Sequence, residues 1–481
     1  MNKLYIYSCL ALCGTIITLN ACNKQLSAPP QNSKVDNNTI LDQATAQIAL
    51  NGVYYNFAAA NPVKNGWQDH QTIPSRLAGY MASGFAPGGY DLNQNAEVQV
   101  NLPYWNECYG LLNAANGVIN GVRALPDIKF AKGRKAGIIG EASFLRAYGH
   151  YRLLSYYAEW NDINSKYGVL LRDQLSNLGN IPKARSNVKE SYDFILKDLD
   201  TAIADAPATN PNYYATRSAA RVLKMRVLMM RGGAGDYTNI LQLADAVMAD
   251  TSFALEANAE DIFHNKGLDS KEVILGLKPQ AQQTMDYYSK SHQYYPGASS
   301  LYVATQSLKD LYANDPREAW IVGDTNTNSA IISFYFTKFY VPKTDVSDVS
   351  ETDYAIRLTE VYLLKAEAII RSGGNLEDAR QLIHTIQSKA GITATANNSN
   401  YLAVEAATTA DALLVETYKE VARSLVGEDG LEWLALLRLP FATVQMIKPT
   451  ITTKAQYVFP IPHNEFLYNP IIGDQNPGYN K

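Results

Sequence analysis

The residue types and spacings that most catalytic and metal sites need are not found in this sequence of 481 residues. It contains no His-Glu-x-x-His, no Cys-x-x-Cys, no Gly-x-Ser-x-Gly and no glycine loop of the phosphate-binding type. The six histidines are widely separated. We therefore predict no catalytic residue, no metal ligand and no cofactor. Carboxylate pairs that cleave glycosidic bonds are recognised by their distance in space, so a surface glycosidase stays an alternative.

One segment begins like a calcium-binding loop. Asp324 to Asn328 reads Asp-Thr-Asn-Thr-Asn. The sixth position of that loop is Ser329 where an EF-hand needs glycine, and the twelfth is Tyr335 where it needs glutamate. The spacing therefore excludes an EF-hand.

Cys22 is the residue for which the sequence predicts a covalent modification. A positive start, Met1-Asn2-Lys3, is followed by a mostly apolar run and then by Leu19-Asn20-Ala21-Cys22. This is the pattern of a bacterial lipoprotein precursor, and the apolar run is too short for a membrane-spanning helix. We expect cleavage before Cys22, a diacylglycerol on its thiol and an acyl chain on its new amine.

The predicted modification divides the chain into three parts. Residues 1–21 are a signal peptide, and residues 22–40 are a polar tether that contains Pro29-Pro30. Residues 41–481 form a single globular unit. We expect an exported protein that contacts the membrane through its lipid anchor alone.

Composition indicates a folded protein that does not bind nucleic acid. Hydrophobic residues make up 47% of the chain, charged residues 18%, and the net charge is −4. Once Cys22 is lipidated and the signal peptide is removed, Cys108 is the single thiol left, so an intramolecular disulfide is excluded. We expect Cys108 to be buried and unreactive.

Apolar residues at spacings of three and four predict a mainly helical fold. The predicted helices are Arg134–Trp160, Lys189–Ala206, Ala215–Met230, Tyr237–Asp250, Asp353–Arg371, Leu376–Ala390 and Ala410–Val426. Two pairs of them are joined by short glycine-containing turns, in which glycine ends the first helix and Asp236 or Asn375 caps the next. Such hairpins are typical of tetratricopeptide-like repeats, which stack to share a core.

Residues 262–350 lie between the two hairpins and differ from them. The helical period fades, Ile274–Leu277 and Ile331–Tyr340 have strand patterns, and aromatic residues are frequent. We predict a helical-repeat frame at about 105–260 and 353–440, with loop-rich ligand-binding parts at about 55–104 and 262–350.

Several motifs resemble those of the SusD/RagB family of outer-membrane nutrient-binding lipoproteins. The most specific is Gly140-Glu141-Ala142-Ser143-Phe144-Leu145-Arg146-Ala147-Tyr148, and Arg357 to Ala368 is nearly as specific. Ala49 to Tyr54, Trp105 to Asn116 and the tail from Phe459 to Tyr479 follow the family order. The resemblance covers nearly the whole chain, with Ala435 standing where the family usually has an aspartate.

The resemblance implies a fold, a function and a partner. The fold would be a right-handed stack of tetratricopeptide-like helical hairpins with a loop-rich, partly β ligand-binding insertion. The protein would be a non-enzymatic, lipid-anchored binding protein of the outer membrane that captures oligosaccharide or polysaccharide. It would deliver this glycan to a TonB-dependent, SusC-like transporter. Charged residues inside the motif helices, Glu141, Arg146, Glu360 and Glu367, are expected to form buried pairs that hold the helices together.

Candidate ligand-binding residues are chosen by type and region, because sugar rings stack on aromatic faces and polar groups bind their hydroxyls. The chain has 32 tyrosines, which favours such stacking. The candidates are Trp67, Asp69, His70, Arg76, Tyr80 and Tyr90 in the first loop region, and Tyr287, Tyr288, Tyr294, Tyr295 and Trp320 in the insertion. Trp105, Trp160 and Trp433 lie on helical motifs and are expected in the core.

Three alternatives stay open beside glycan capture. The same fold could bind peptides, as the RagB branch implies, or serve as a protein-binding scaffold, or carry a glycosidase site. The face of the membrane is also open, because Asn23 to Ser27 contains no acidic residue and the first one after Cys22 is Asp36. We expect display on the cell surface, which a transporter partner there would require.

Overall fold

A computed structural model describes residues 39–59, 67–96, 103–177, 179–279, 290–294, 296, 300–329, 331–340 and 347–481. The predicted signal peptide, Cys22 and nearly all of the tether lie outside these residues. Helices dominate the described part of the chain. They are α1 Gln43–Phe57, α2 Gln68–Ala78, α3 Pro103–Ala124, α4 Arg134–Tyr157, α5 Val188–Asp205, α6 Arg217–Arg231, α7 Asp236–Met248, α8 Lys290–Gln293, α9 Gln306–Leu311, α10 Glu318–Ile321, α11 Asp348–Glu351, α12 Leu358–Arg371, α13 Leu376–Ser388, α14 Ser399–Ala406, α15 Ala410–Leu425, α16 Leu431–Leu437, α17 Phe441–Ile447 and α18 His463–Tyr468.

Within the described residues, six short strands form two antiparallel sheets. The strands are β1 Met81–Ser83, β2 Val273–Leu277, β3 Tyr302–Thr305, β4 Val322–Thr325, β5 Ser333–Phe336 and β6 Asp353–Arg357. The larger sheet has the order β1-β3-β5-β4, and its register pairs Ala304 of β3 with Phe334 of β5. The smaller sheet pairs β2 with β6. Both predicted strand segments of the insertion are therefore present, and the larger sheet joins the first loop region to the insertion through β1.

Consecutive helices pack against one another from α3 to α7, and the stack continues on the far side of the insertion where α12 packs on α7. The two predicted hairpins, α6/α7 and α12/α13, are thus neighbours in one stack. Gly232 ends α6 with a φ of +58°, a conformation that costs other residues energy. This arrangement agrees with the predicted tetratricopeptide-like packing.

Asn375 and Asp236 have different roles in the two hairpin turns. Asn375 caps α13 as predicted, because its side chain accepts a hydrogen bond from the Glu377 amide. Asp236 does not cap α7. Its carboxylate instead binds the Arg231 guanidinium and accepts from the Gly233 amide, which closes the turn from inside.

One predicted helix begins too early. Asp353–Arg357 is a fully buried strand that pairs with β2, and α12 starts only at Leu358. The apolar Tyr354-Ala355-Ile356 run is compatible with either element. Pairing with a distant strand decides the outcome here, and a single segment carries no sign of that partner.

The charged residues of the motif helices are buried in ion pairs, and all except Glu141, whose partner Arg134 lies on the same helix, pair with another element as predicted. Arg146 of α4 binds Asp198 of α5 through two hydrogen bonds of 2.8 and 2.7 Å. Glu360 of α12 binds Arg226 of α6. Partners for the remaining predicted residues are Arg134 for Glu141, and Arg371 and Arg438 for Glu367. Each interhelical pair joins elements of the stack.

The expected core aromatics are indeed inside. Trp105, Trp160 and Trp433 are buried, and Ala435 of α16 packs among apolar residues. Cys108 is buried as well, and burial raises the pKa of its thiol to about 12, which makes it a poor nucleophile. Within the described ranges, no helix combines the length and the apolarity that crossing a bilayer requires.

A candidate binding cleft around Trp320

An open cleft of about 820 Å³ lies beside β4 and β5, within the predicted ligand-binding insertion. Aromatic side chains and charged groups share its wall. The aromatic lining residues are Trp320, Phe334, Tyr335 and Tyr340, and the charged or titratable ones are Glu260, His264, Lys309 and Asp324. A cavity of this size lies within the range of small-molecule sites, and its lining is rich in polar groups.

Trp320 is held at the cleft by its backbone and by its ring. It lies on the short helix α10, and its carbonyl accepts a hydrogen bond of 2.9 Å from the Thr337 hydroxyl. Its ring stacks on Phe263 with centroids 5.7 Å apart and planes inclined by 26°. His264 meets the ring edge-on at 5.7 Å and 80°. Trp320 is half-buried, so part of its surface stays open to the cleft.

A buried arginine fixes the turn that precedes α10. Arg317 binds both carboxylate oxygens of Asp315, and it reaches Glu420 of α15 at 2.6 Å. All three side chains are buried. Because buried pairs of this kind allow few alternative arrangements, the position of α10 is tied to the helical frame.

Most charges of the cleft are already matched. Lys309 lies 2.9 Å from Glu318 and 4.6 Å from the centre of the Phe334 ring. Glu260 lies 3.1 Å from Nδ1 of His264, whose Nε2 is 3.1 Å from the Lys338 carbonyl. Asp324, at the end of β4, is exposed. Among the described lining residues, Lys309 and His264 therefore each face a carboxylate.

This arrangement suits a ligand that has both an apolar face and hydroxyl groups. Trp320 and the tyrosines supply flat surfaces, and Asp324, Thr325 and Thr337 supply acceptors and donors at the rim. In the part of the chain that the structure describes, no group of three or more His, Cys, Asp or Glu residues could hold a metal ion.

Of the predicted insertion residues, the structure places Trp320 in this cleft. Tyr294 is fully buried between Phe336, Phe339 and Tyr302, so packing accounts for its ring. Tyr287, Tyr288 and Tyr295 lie outside the described residues.

Three of the candidates from the first loop region are packed inside. Trp67 is 1% exposed, with Phe57 at 5.3 Å and the Arg152 guanidinium 4.8 Å from its ring. His70 stacks on Tyr104 at 4.7 Å, and its burial, together with Arg152, lowers its pKa well below the ordinary value. The Tyr80 hydroxyl bonds to that of Tyr418. Because these three side chains are buried among their neighbours, they have no surface left for contact with a ligand.

The other three candidates of that region come together. Arg76 binds Asp91 through two hydrogen bonds, and its guanidinium lies 5.2 Å from the centre of the Tyr90 ring. Asp69 and Arg76 both act electrostatically on Tyr90. Asp69, Arg76 and Tyr90 are only partly buried. They form a small polar and aromatic group beside β1 and β3, and they stay candidates.

Sequence reasoning missed most of the residues around Trp320. Phe334 and Tyr335 fall in the segment with a predicted strand pattern, and the alternation of strand side chains could have singled out Tyr335 as the more exposed of the two. Asp324 was considered only as a calcium ligand. Glu260, His264 and Lys309 come from separate segments, and nothing in the sequence indicates that they meet.

Two family models and related sequences match this chain. A model described as "Starch-binding associating with outer membrane" (SusD-like) matches residues 24–229, and the "SusD family" model (SusD_RagB) matches residues 272–433. A "SusD-like protein P38" of Formosa agariphila is 22% identical, with 96% of each chain covered.

Solved structures share the fold at low sequence identity. A SusD superfamily protein of Bacteroides thetaiotaomicron has a TM-score of 0.74 and 21% identity, over 91% of this chain and 100% of its own. A "SusD-like carbohydrate binding protein" of Bacteroides vulgatus has a TM-score of 0.71 and 16% identity, over 90% and 97%. The predicted helical architecture is therefore confirmed.

Proposed function

Because this chain belongs to the SusD/RagB family, we propose that it is a non-catalytic carbohydrate-binding protein that holds an oligosaccharide or polysaccharide in the Trp320 cleft. The observation that carries the proposal is the half-open face of Trp320 in a cleft of about 820 Å³ that also contains three other aromatic residues and polar rim groups. The name of the carbohydrate-binding relative in Bacteroides vulgatus supports this ligand class.

The cellular role follows from the sequence motifs. The lipoprotein pattern before Cys22 supports a lipid anchor, and the description of the first family model supports the outer membrane. We further propose that the protein stands at the cell surface and passes its glycan to a TonB-dependent, SusC-like transporter. The family resemblance is the support for this partner.

The charge of the cleft favours a neutral glycan over an acidic one. Lys309 and His264 each face a carboxylate, and Asp324 adds a further negative charge at the rim. A uronate or sulfate group would meet repulsion there without an uncommitted cation among the described lining residues. Neutral hydroxyl groups would meet acceptors and donors.

The proposal is tested by calorimetric titration of a soluble form that begins after Cys22. The polymers are amylopectin, xylan and galactomannan as neutral glycans, alginate and polygalacturonate as acidic ones, and a peptide mixture. Released reducing ends are measured in the same samples. We expect heat with a neutral glycan, and no released ends.

Matched variants locate the site. Trp320→Ala should weaken binding about tenfold or more, which corresponds to a loss of about 1.4 kcal/mol, and Trp320→Phe should retain part of the affinity. Tyr468→Ala serves as the control, because this exposed aromatic of α18 is not among the described residues that line the cleft. Binding of peptides alone, or release of reducing ends, would contradict the proposal.

A further inference from the structure

A second cleft, of about 340 Å³, lies between α1, the loop of residues 206–216 and the end of β2. Among the described residues, none lines both this cleft and the Trp320 cleft. Tyrosine predominates in its wall. The lining residues include Tyr54, Tyr55, Tyr213, Tyr214, Asn51 and Lys278.

Tyr54 fixes the geometry of this cleft from beneath. Its hydroxyl donates a hydrogen bond of 2.7 Å to the buried carboxylate of Glu141, and it accepts one of 2.7 Å from the Ala215 amide. The Tyr214 ring packs edge-on against Tyr54 at 4.7 Å, and Tyr213 packs against Tyr214 at 4.8 Å. The loop that carries Tyr213 and Tyr214 is therefore held in place by α1 and α4.

Three tyrosine hydroxyls at this cleft are available to a ligand. Tyr55 is 42% exposed, and Tyr213 and Tyr214 are half-buried. Within the described residues, the hydroxyls of these three tyrosines have no hydrogen-bond partner, whereas the buried Tyr54 hydroxyl has two. Within the described residues, these rings therefore leave both apolar surface and hydroxyl groups open to the cleft.

The polar groups around the tyrosines complete a site for a sugar. The Lys278 amine lies 5.4 Å from the centre of the Tyr213 ring, and Asn51 presents an exposed amide from α1. Hydroxyl, amide and amine groups beside tilted aromatic rings match a sugar ring, whose apolar face stacks while its hydroxyls form hydrogen bonds.

We infer that this tyrosine cleft is a second carbohydrate-binding site, which takes a further segment of the same neutral glycan. The inference rests on the proposed function. Two sites on one chain raise the apparent affinity for a long polymer, because the second contact is made at high effective concentration. They bring no such gain for an oligosaccharide too short to reach both.

The test compares the double variant Tyr55→Ala/Tyr213→Ala with Trp320→Ala. The ligands are the neutral polymer that binds the unmodified protein and the hexasaccharide prepared from that polymer. Both tyrosines are surface residues outside the Glu141 contact, so the double variant should fold, which its unfolding midpoint checks. We expect calorimetric titration with the hexasaccharide to give two binding sites per chain in the unmodified protein and one binding site per chain in each variant. Polymer affinity should fall roughly fivefold in the double tyrosine variant. Tyr468→Ala should change neither value.

The outcomes separate this inference from the proposed function. A single site that is lost in Trp320→Ala and unchanged in the double tyrosine variant would overturn the second site and leave the proposed function standing. Two sites that both persist in the double tyrosine variant would overturn it as well. Absence of glycan binding by the unmodified protein would instead refute the proposed function itself.

Discussion

Glu432 is a fully buried carboxyl group whose hydrogen bonds come from the Ser75 hydroxyl and the Gly427 amide. Burial raises its pKa from 4.5 to about 7, since the charged form loses its hydration. One of its oxygens has no hydrogen-bond partner among the described residues. The folded protein therefore binds the carboxyl proton of Glu432 more tightly than the unfolded chain does.

This difference predicts a pH-dependent effect of Glu432→Gln. The stability that the neutral carboxyl contributes is present below about pH 4.5 and is lost as the pH rises to about 7. An amide cannot ionise, so the unfolding free energy of the variant, relative to that of the unmodified protein, should be about 2 to 4 kcal/mol higher at pH 8 than at pH 4.5. Urea unfolding of both proteins at pH 4.5 and at pH 8 measures this difference.

Glu428→Gln is the matched control for that prediction. Burial disfavours the charged form of Glu428, but Arg357 and Lys338 outweigh this effect and lower its pKa. Its substitution should therefore destabilise the protein near neutral pH. An equal effect of Glu432→Gln at both pH values would contradict the proposed protonation of Glu432.

Residue type alone predicted which side chains were candidates, but not which of them face a ligand. Trp67 and Trp320 are equally suited to stacking, yet Trp67 is packed against Phe57 and Trp320 borders a cleft. An aromatic ring satisfies a core position and a binding surface by the same chemistry. The distinction depends on neighbours such as Phe263, which come from other segments.

At the scale of elements, Glu367 connects two helices, α12 and α16. It lies on α12 and binds Arg371 of the same helix at 2.8 Å and Arg438, which follows α16, at 2.6 Å. Burial alone would raise the pKa of Glu367, but Arg438 and Arg371 outweigh it and lower the pKa to about 2. The carboxylate thus contributes stability above about pH 4.5, and the contribution is lost as the pH falls toward 2.

Glu367→Gln should therefore destabilise the protein strongly at neutral pH. Removal of one member of a buried pair costs about 3–5 kcal/mol, and the partly buried Arg371 and Arg438 place the expected loss near the lower end of that range. Urea unfolding at pH 7 measures the loss. Glu377→Gln, which removes an exposed partner of Arg380 on α13, should cost about 1 kcal/mol or less. Equal losses in the two variants would contradict this account of Glu367.

Element prediction succeeded where the pattern is local. The helices with long apolar stripes, such as Arg134–Tyr157, begin and end within a few residues of the predicted bounds. It failed at Asp353–Arg357, where pairing with β2 replaces the expected helical turn. The order of strands in the larger sheet could not be predicted either, because β1 joins a sheet whose other strands lie more than 200 residues further along the chain.

At the scale of the whole molecule, the predicted lipid anchor separates attachment from binding. Cys22→Ala removes the thiol that would carry the diacylglycerol, so we expect the variant to lose labelling by a radioactive fatty acid. The unmodified protein should be labelled and should sediment with the membranes, because several acyl chains anchor a protein stably. Equal labelling of both proteins would contradict the predicted modification.

A crystal structure of the protein with the hexasaccharide of the neutral polymer that binds in titration would show whether a carbohydrate occupies the cleft around Trp320. We expect a sugar ring stacked on the open face of Trp320, with hydroxyl groups near Asp324 and the Thr337 side chain. A well-ordered hexasaccharide bound elsewhere, with the Trp320 cleft empty, would contradict this expectation.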